Sequence, residues 1–419
     1  MLKLNKGFLI NGVVGLFFII CLSVRSGYSI SPILLALVGL GYLIYDLIKK
    51  RKWQISPDEK WLIYSYGLYF SLFVLSLLIH QGRLKELDSP VKIVFLLTLL
   101  LLFSRFPIKF STLIYAIPMG SMIAGITALI DRFYLHSQMA YAPRIMHIQG
   151  GDIAMSLGMF SLVCCIYFFI KQQKKWMLFC LLATLSGMLG SILSTARGGW
   201  IGVPFVLCFI FWAYRKYLSR TFFVSVISIL VVAVGVAVYI PNTKIMKRIN
   251  AAQHDITSYV DNKRGSDSTS VGARFEMWKS AFLMIKEKPV FGWGIEGVNQ
   301  MRKEHQKQGI ISKYASQFTH AHNQYLDDFS KRGVLGFIAL LAVFLVPMRF
   351  FRKNLSDRLE VKVVAIFGMV HVISVMFYCF SQGFFSHNSG NIFYFFPVIL
   401  FYAVILNLTA KKSAESTKS

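Results

Sequence analysis

The chain has 419 residues, of which 55% are apolar, 15% aromatic and only 15% charged, and its mean hydropathy is +0.57. That mixture excludes a water-soluble globular protein, and apolar runs of roughly 20 residues, the length that crosses a hydrocarbon core of about 30 Å, recur from end to end. A net charge of +26, from 45 Lys+Arg against 19 Asp+Glu, would suit nucleic acid, but the same excess collects in the cytoplasmic loops of polytopic membrane proteins, so its distribution decides.

Apolar windows bounded by charge predict twelve membrane helices, at about 7–24, 30–48, 61–80, 88–104, 111–130, 152–170, 176–195, 199–214, 221–240, 333–350, 363–381 and 392–409. The first follows Lys3 and Lys6 like a signal peptide, but no A-x-A site ends it and further spans follow, so it is expected to stay as a helix. All six cysteines lie in apolar runs without CxxC spacing and read as small hydrophobes, not as disulfides or metal ligands.

The amino terminus, alternate short loops such as KKRKWQISPDEK and RFFRKNLSDRLEVK, and the tail hold 23 of the basic residues, whereas the opposite short loops hold six. Both termini are therefore expected in the cytoplasm. Because topology accounts for most of the charge, and no helix-turn-helix, zinc-finger or stacking signature is present, no nucleic-acid partner is expected. The chain divides into helices one to nine over 1–240, an outward loop over 241–332, three helices over 333–410 and a polar cytoplasmic tail over 411–419.

In chain order, the first informative polar residue is Asp152 in GGDIAMS, which reads as a helix cap or as a partner for Arg197. Arg197 stands in STARGGW, a turn at the outward end of a span, where a charge needs a cavity or a partner and an anion is the default. The loop of 92 residues then carries fifteen Lys+Arg against nine Asp+Glu. Its basic excess fits either a solvated face or an anionic ligand such as a diphosphate or a lipid headgroup.

Within the loop, NKRGSDSTSVG reads as mobile surface. From Ala273 to Pro289 the spacing of Arg274, Trp278, Ala281 or Phe282, and Ile285 predicts an amphipathic helix along the membrane interface, with Arg274 either facing an anion or snorkelling to headgroups. VFGWGIEGVN reads as a tight turn, since it lacks the flanking strand and GK[ST] of a phosphate loop. A helix starting near His320 would place His322 with Tyr325, Leu326 and Phe329 on an apolar face, turn His320 about 200° away, and point Asp327 and Asp328 elsewhere. His322 is then either a proton acceptor near neutral pH or a structural hydrogen-bonding residue. No Asp-x-Asp pair or third His/Cys accompanies His320 and His322, so no metal is expected.

STARGGW with Arg197, GAR-x-x-x-W with Arg274 and Trp278, and HAHNQYLDDFSKRGVLG with His320, His322 and Asn323 resemble, in order and sidedness, the O-antigen ligase and polymerase superfamily. The detailed likeness covers about residues 190 to 345; elsewhere it is one of hydropathy and length. The resemblance implies an all-α polytopic membrane glycosyltransferase of the GT-C type in a bacterial inner membrane, with its active site periplasmic and no metal or other cofactor. It implies transfer of O-antigen glycan from undecaprenyl diphosphate to a lipid A-core sugar with inversion. Arg197 and Arg274 would hold the diphosphate and His322 would act as base, with His320, Asn323, Trp278 and Asp152 in support. The alternatives are an O-antigen polymerase of the same superfamily and a lipid-linked glycan transporter. The spans are nearly free of midplane charge, which disfavours the transporter, and His371, the main exception, is expected to make a core hydrogen bond.

The topology is directly checkable. A cysteine placed by Ser266→Cys should react with an impermeant thiol reagent from outside the inner membrane; labelling only after permeabilisation would reverse the assignment.

Overall fold

The computed structural model describes residues 5–196, 198–239, 250, 253, 257, 270–356 and 358–416. The described residues form helices and no strand. Helices satisfy every backbone donor and acceptor within one segment, which is what a hydrocarbon environment demands. In order they are α1 (Lys6–Ile20), α2 (Gly27–Ile48), α3 (Pro57–Ile79), α4 (Val91–Leu96), α5 (Thr98–Arg105), α6 (Phe110–Leu129), α7 (His147–Ile170), α8 (Lys174–Ser194), α9 (Gly198–Ile201), α10 (Val203–Tyr214), α11 (Arg220–Tyr239), α12 (Ser270–Glu287), α13 (Gly294–Lys307), α14 (Lys313–Ser316), α15 (Gln324–Lys353), α16 (Leu359–Ser381) and α17 (Asn388–Ser416).

Nine segments among the described residues are long and apolar enough to cross a membrane, so the chain is a multi-pass membrane protein. The other three expected windows fall on α1, on the shorter apolar stretch Gly198–Tyr214, and on α11. At the centre stands α7, whose side chains from Gln149 to Phe168 are all buried. Its partner α8 approaches closely at Gly187, where a Cβ would stand 2.7 Å from the carbonyl oxygen of Ala154 and 2.8 Å from Cα of Gly158. Small residues allow such contact in membranes, where packing replaces the hydrophobic drive between helices.

Polar contacts between segment ends sort into two sets that match the expected alternation of sides. At one end Arg105 meets Asp46, Lys353 meets Asp58 at 3.3 Å and Arg358 donates to the Leu408 carbonyl. At the other, Arg83 meets Glu296 at 3.4 Å, Asn391 donates to Ser89 and Lys92 donates to Asn388. The described part of the loop, 270–332, therefore sits over the same end as the segments at 83–92 and 382–391.

The loop has its own small cores. The buried face of α12 is Ala273, Met277, Ser280, Ala281 and Met284, packed on Ile311 and Ala315 in one cluster and on Val298 and Ala321 in another. This differs from the stripe read in the sequence: Phe282 is exposed, and Arg274 and Trp278 lie half-buried at the edge of the packed face. The face is decided by packing inside the loop. The following turn is shorter than expected, since Gly294 already starts α13; Gly292 and Gly294 supply its positive φ values of 69° and 68°.

The last three helices begin earlier than hydropathy suggested. α15 starts at Gln324, nine residues before the apolar run, and bends at Gly333 with φ 65° and ψ −165°. The bend receives the 288–293 turn, with Val334 donating to the Pro289 carbonyl at 2.8 Å and Trp293 to Ser330 at 3.0 Å. A Cβ on Gly333 would stand 1.9 Å from the Val290 carbonyl oxygen. Gly333→Ala therefore combines a left-handed backbone with a clash and should cost about 2 kcal/mol or more. The melting temperature of the detergent-purified variant should fall below that of Gly67→Ala, a helical site with open space around it. Equal melting temperatures would contradict this account of the bend.

Candidate functional site

The HAHN stretch is a turn held from three sides. Asn323 is the N-cap of α15, its side chain accepting from Leu326 N at 3.1 Å, so the helix begins after the histidines. His322 takes a left-handed conformation at φ 48°, unusual for a residue with a Cβ and sustained only where surroundings enforce it. Here they do: Trp278 Nε1 donates to the Ala321 carbonyl at 3.0 Å, and Ala321 N donates to Asp327 Oδ1 at 3.1 Å. The expected opposition of the two imidazoles is thereby overturned. Their ring centroids are 4.2 Å apart.

The turn places His322 against the loop between α16 and α17. Its Nδ1–H donates to Gln382 Oε1 at 2.9 Å, and Gln382 Nε2 donates to His387 Nε2 at 3.0 Å. With Nδ1 committed as donor, the lone pair of neutral His322 resides on Nε2. Burial, reinforced by the positive charge of Arg274, pushes the His322 pKa down to about 4 against opposing contributions from the Gln382 hydrogen bond and Asp327. Burial and then the neighbouring His322 bring His320 to about 3. Both imidazoles are neutral at pH 7 and can accept a proton but not donate charge.

Beneath the turn lie the two acids that the sequence reading had pointing away. Asp327 meets Lys331 at 2.6 Å and Arg302 at 4.0 Å, while Asp328 takes Arg332, Tyr69 OH at 3.1 Å and Gln324 Nε2 at 2.6 Å. Lys331 also donates to the Thr319 carbonyl, and Arg302 to that of Phe318. The signal was present in DDFSKR, where each acid has a base four residues on, the spacing of facing helical neighbours.

Of the residues singled out in sequence, His320, His322, Asn323, Trp278 and Arg274 come together, Arg274 being close enough for its charge to act on His322. Arg197 lies outside the described residues. Asp152 is no cap, because α7 begins at His147; it is fully buried in the second turn, and neither carboxylate oxygen has a hydrogen-bond partner among the described residues. A Cβ on Gly199 would stand 2.7 Å from its Oδ1, so this carboxylate faces the start of α9. His371 makes its core hydrogen bond, to the Tyr394 carbonyl at 3.2 Å. The reading missed Gln382, His387, Gln324 and Arg302; polar residues between two apolar runs, as in SQGFFSHNSG, were the available signal for the first two. Among the described residues no group of three His, Cys, Asp or Glu side chains is placed to hold a metal.

The electrostatics predict a measurable titration. In histidine-¹⁵N-labelled protein, His322 should remain neutral with its proton on Nδ1 down to about pH 5 and titrate near 4. Titration at the ordinary 6.5, or a proton on Nε2, would contradict the relay through Gln382.

A family model described as O-antigen ligase matches residues 180–341, a stretch that holds Arg197, Arg274, His320 and His322. An uncharacterised protein of Haemophilus influenzae is 42% identical over 395 residues, covering 94% of this chain and 98% of its own length. The chain is thus a member of the O-antigen ligase family.

Proposed function

We propose that this protein transfers O-antigen glycan from undecaprenyl diphosphate to a sugar of the lipid A-core, on the periplasmic face of the bacterial inner membrane. On this reading the twelve helical windows are spans, both termini are cytoplasmic, 241–332 is the periplasmic loop, 411–419 is the cytoplasmic tail, and the architecture is that of a GT-C-type transferase. The observation that carries the proposal is a neutral imidazole, His322, held by Gln382 beside the cationic Arg274.

The chemistry follows from charge. Attack of an acceptor hydroxyl on the anomeric carbon requires a group to take the proton and compensation of the negative charge that gathers on the departing diphosphate. His322 Nε2 serves the first need, since its Nδ1 is already engaged and burial keeps the ring uncharged. Arg197 and Arg274 serve the second, because the guanidinium is always cationic and presents a fork that matches phosphate oxygens. Diphosphate bound at Arg274 also cancels part of the field that depresses His322, so donor binding makes the imidazole a stronger base. One direct displacement inverts the anomeric centre and needs neither nucleotide nor metal.

Deleting the gene should remove all long-chain bands from the lipopolysaccharide ladder, with lipid-linked glycan accumulating. Retention of a core bearing one repeat unit would favour the polymerase of the same family. In complementation, Arg274→Ala, Arg197→Ala and His322→Ala should each fail to restore the ladder, His322→Ala losing about 10²- to 10⁴-fold in rate. Arg274→Lys should lose much of the activity despite conserved charge. Full ladders from normally expressed alanine variants would overturn the anion and base assignments.

A further inference from the structure

On the side of the His320–His322 pair where His320 is exposed to a void, the structure encloses a cavity of about 180 Å³, bounded by α3, the 84–93 segment, the first turns of α15 and the 385–391 segment. That is the space of about six waters, on the scale of one sugar ring. His320 and not His322 lines it, together with Glu86, Asn391, Phe73, Phe385 and Ser386.

Three buried polar atoms of the lining have no hydrogen-bond partner among the described residues: Nε2 of His320, Oδ1 of Asn391 and Nε of Arg332. Asn391 is 2% exposed, and its amide nitrogen is already spent on Ser89. Unpartnered buried polar atoms of this kind are costly unless something pairs with them. The void's charge says what that something is. Lys331 and Arg332 also reach the lining, but each is taken by a carboxylate, Asp327 and Asp328 respectively. Their positive charge is thereby neutralised, so the lining has no excess of it to hold a phosphate, and Arg332 offers only its Nε–H as a further donor. Glu86 adds a carboxylate, an acceptor for hydroxyl donors. Unpartnered polar atoms, among them the Asn391 acceptor and the Arg332 donor, with a carboxylate, aromatic walls and balanced charge, together suit a neutral polyhydroxyl ring, whose hydroxyls both donate and accept.

We infer that this cavity is the acceptor subsite: it receives a single terminal sugar of the acceptor glycan, with Asn391 and Glu86 accepting from its hydroxyls and His320 Nε2 orienting the hydroxyl presented to the neighbouring His322. This rests on the transfer reading for the word acceptor, though not for the binding itself. Donor diphosphate held by Arg274 and acceptor sugar held beside His320 are then brought to the imidazole pair together. His320 is a positioning residue in this arrangement, and His322 remains the base.

The test uses soluble core oligosaccharide, freed from lipid A by mild acid, and the full chain in nanodiscs without donor. Saturation-transfer NMR should show contact confined to one terminal sugar of the oligosaccharide. Ser386→Trp, at an exposed position on the rim, and Asn391→Leu should each weaken binding roughly tenfold or more, with melting temperatures of the variants showing that they are folded. Absence of binding to the wild type, or equal binding by folded Ser386→Trp, would overturn the subsite. In transfer assays His320→Gln should raise the acceptor KM roughly tenfold and also lower kcat, because the bound hydroxyl is no longer aimed at His322, whereas an unchanged acceptor KM would remove His320 from acceptor binding. If the wild type binds the oligosaccharide yet transfers no glycan, the subsite stands and the proposed reaction falls.

Discussion

Two adjacent carboxylates, Asp327 and Asp328, are buried where the large loop becomes a membrane helix, and the arrangement of the site follows from how they are compensated. An ionised carboxylate out of water costs several kcal/mol, and removing one partner of such a pair typically costs about 3–5 kcal/mol. The chain answers with Lys331 and Arg302 on one acid and with Arg332, Tyr69 and Gln324 on the other. These partners come from the loop, from α3 and from α15 itself. Their shared need for the same two anions ties the loop to the membrane helices, and the bend at Gly333 completes the joint by accepting the 288–293 turn.

The same anions shape the chemistry above them. Asp327 accepts from Ala321 N, which with Trp278 fixes the peptide between the two histidines and forces His322 into its left-handed conformation. Gln382 then sets its proton on Nδ1. Burial and Arg274 hold the ring neutral, so a group of low intrinsic basicity in the empty site gains basicity when an anion arrives. Coupling of that kind would keep the proton acceptor quiet until a donor is bound.

Much of this was legible in the sequence, and the remainder was hidden for identifiable reasons. The helices could be placed because hydrocarbon demands long uncharged runs, and the large loop because one long polar stretch interrupts them. Arg274, Trp278 and the histidines were found together from their order along the chain. The start of α15 was misplaced because periodicity cannot show that Asn323 caps a helix, and with it went the relation of the two imidazoles. Gln382 and His387 escaped because they approach His322 from sixty or more positions along the chain, a proximity that only the packing of α16 and α17 against α15 creates. The buried face of α12 was likewise set by partners within the loop that spacing alone does not identify.

The central claim is that a buried, arginine-flanked His322 takes the acceptor's proton. It is tested most directly by the pH dependence of kcat/KM for the lipid-linked donor, measured with purified protein in chelator, because that parameter reports the free enzyme. The account expects a rate that is level from about pH 8 to 5.5 and declines toward an apparent pKa near 4, with His322→Ala flat and slower by about 10²-fold or more. A wild-type decline centred near the ordinary histidine pKa, or undiminished transfer by His322→Ala, would contradict it.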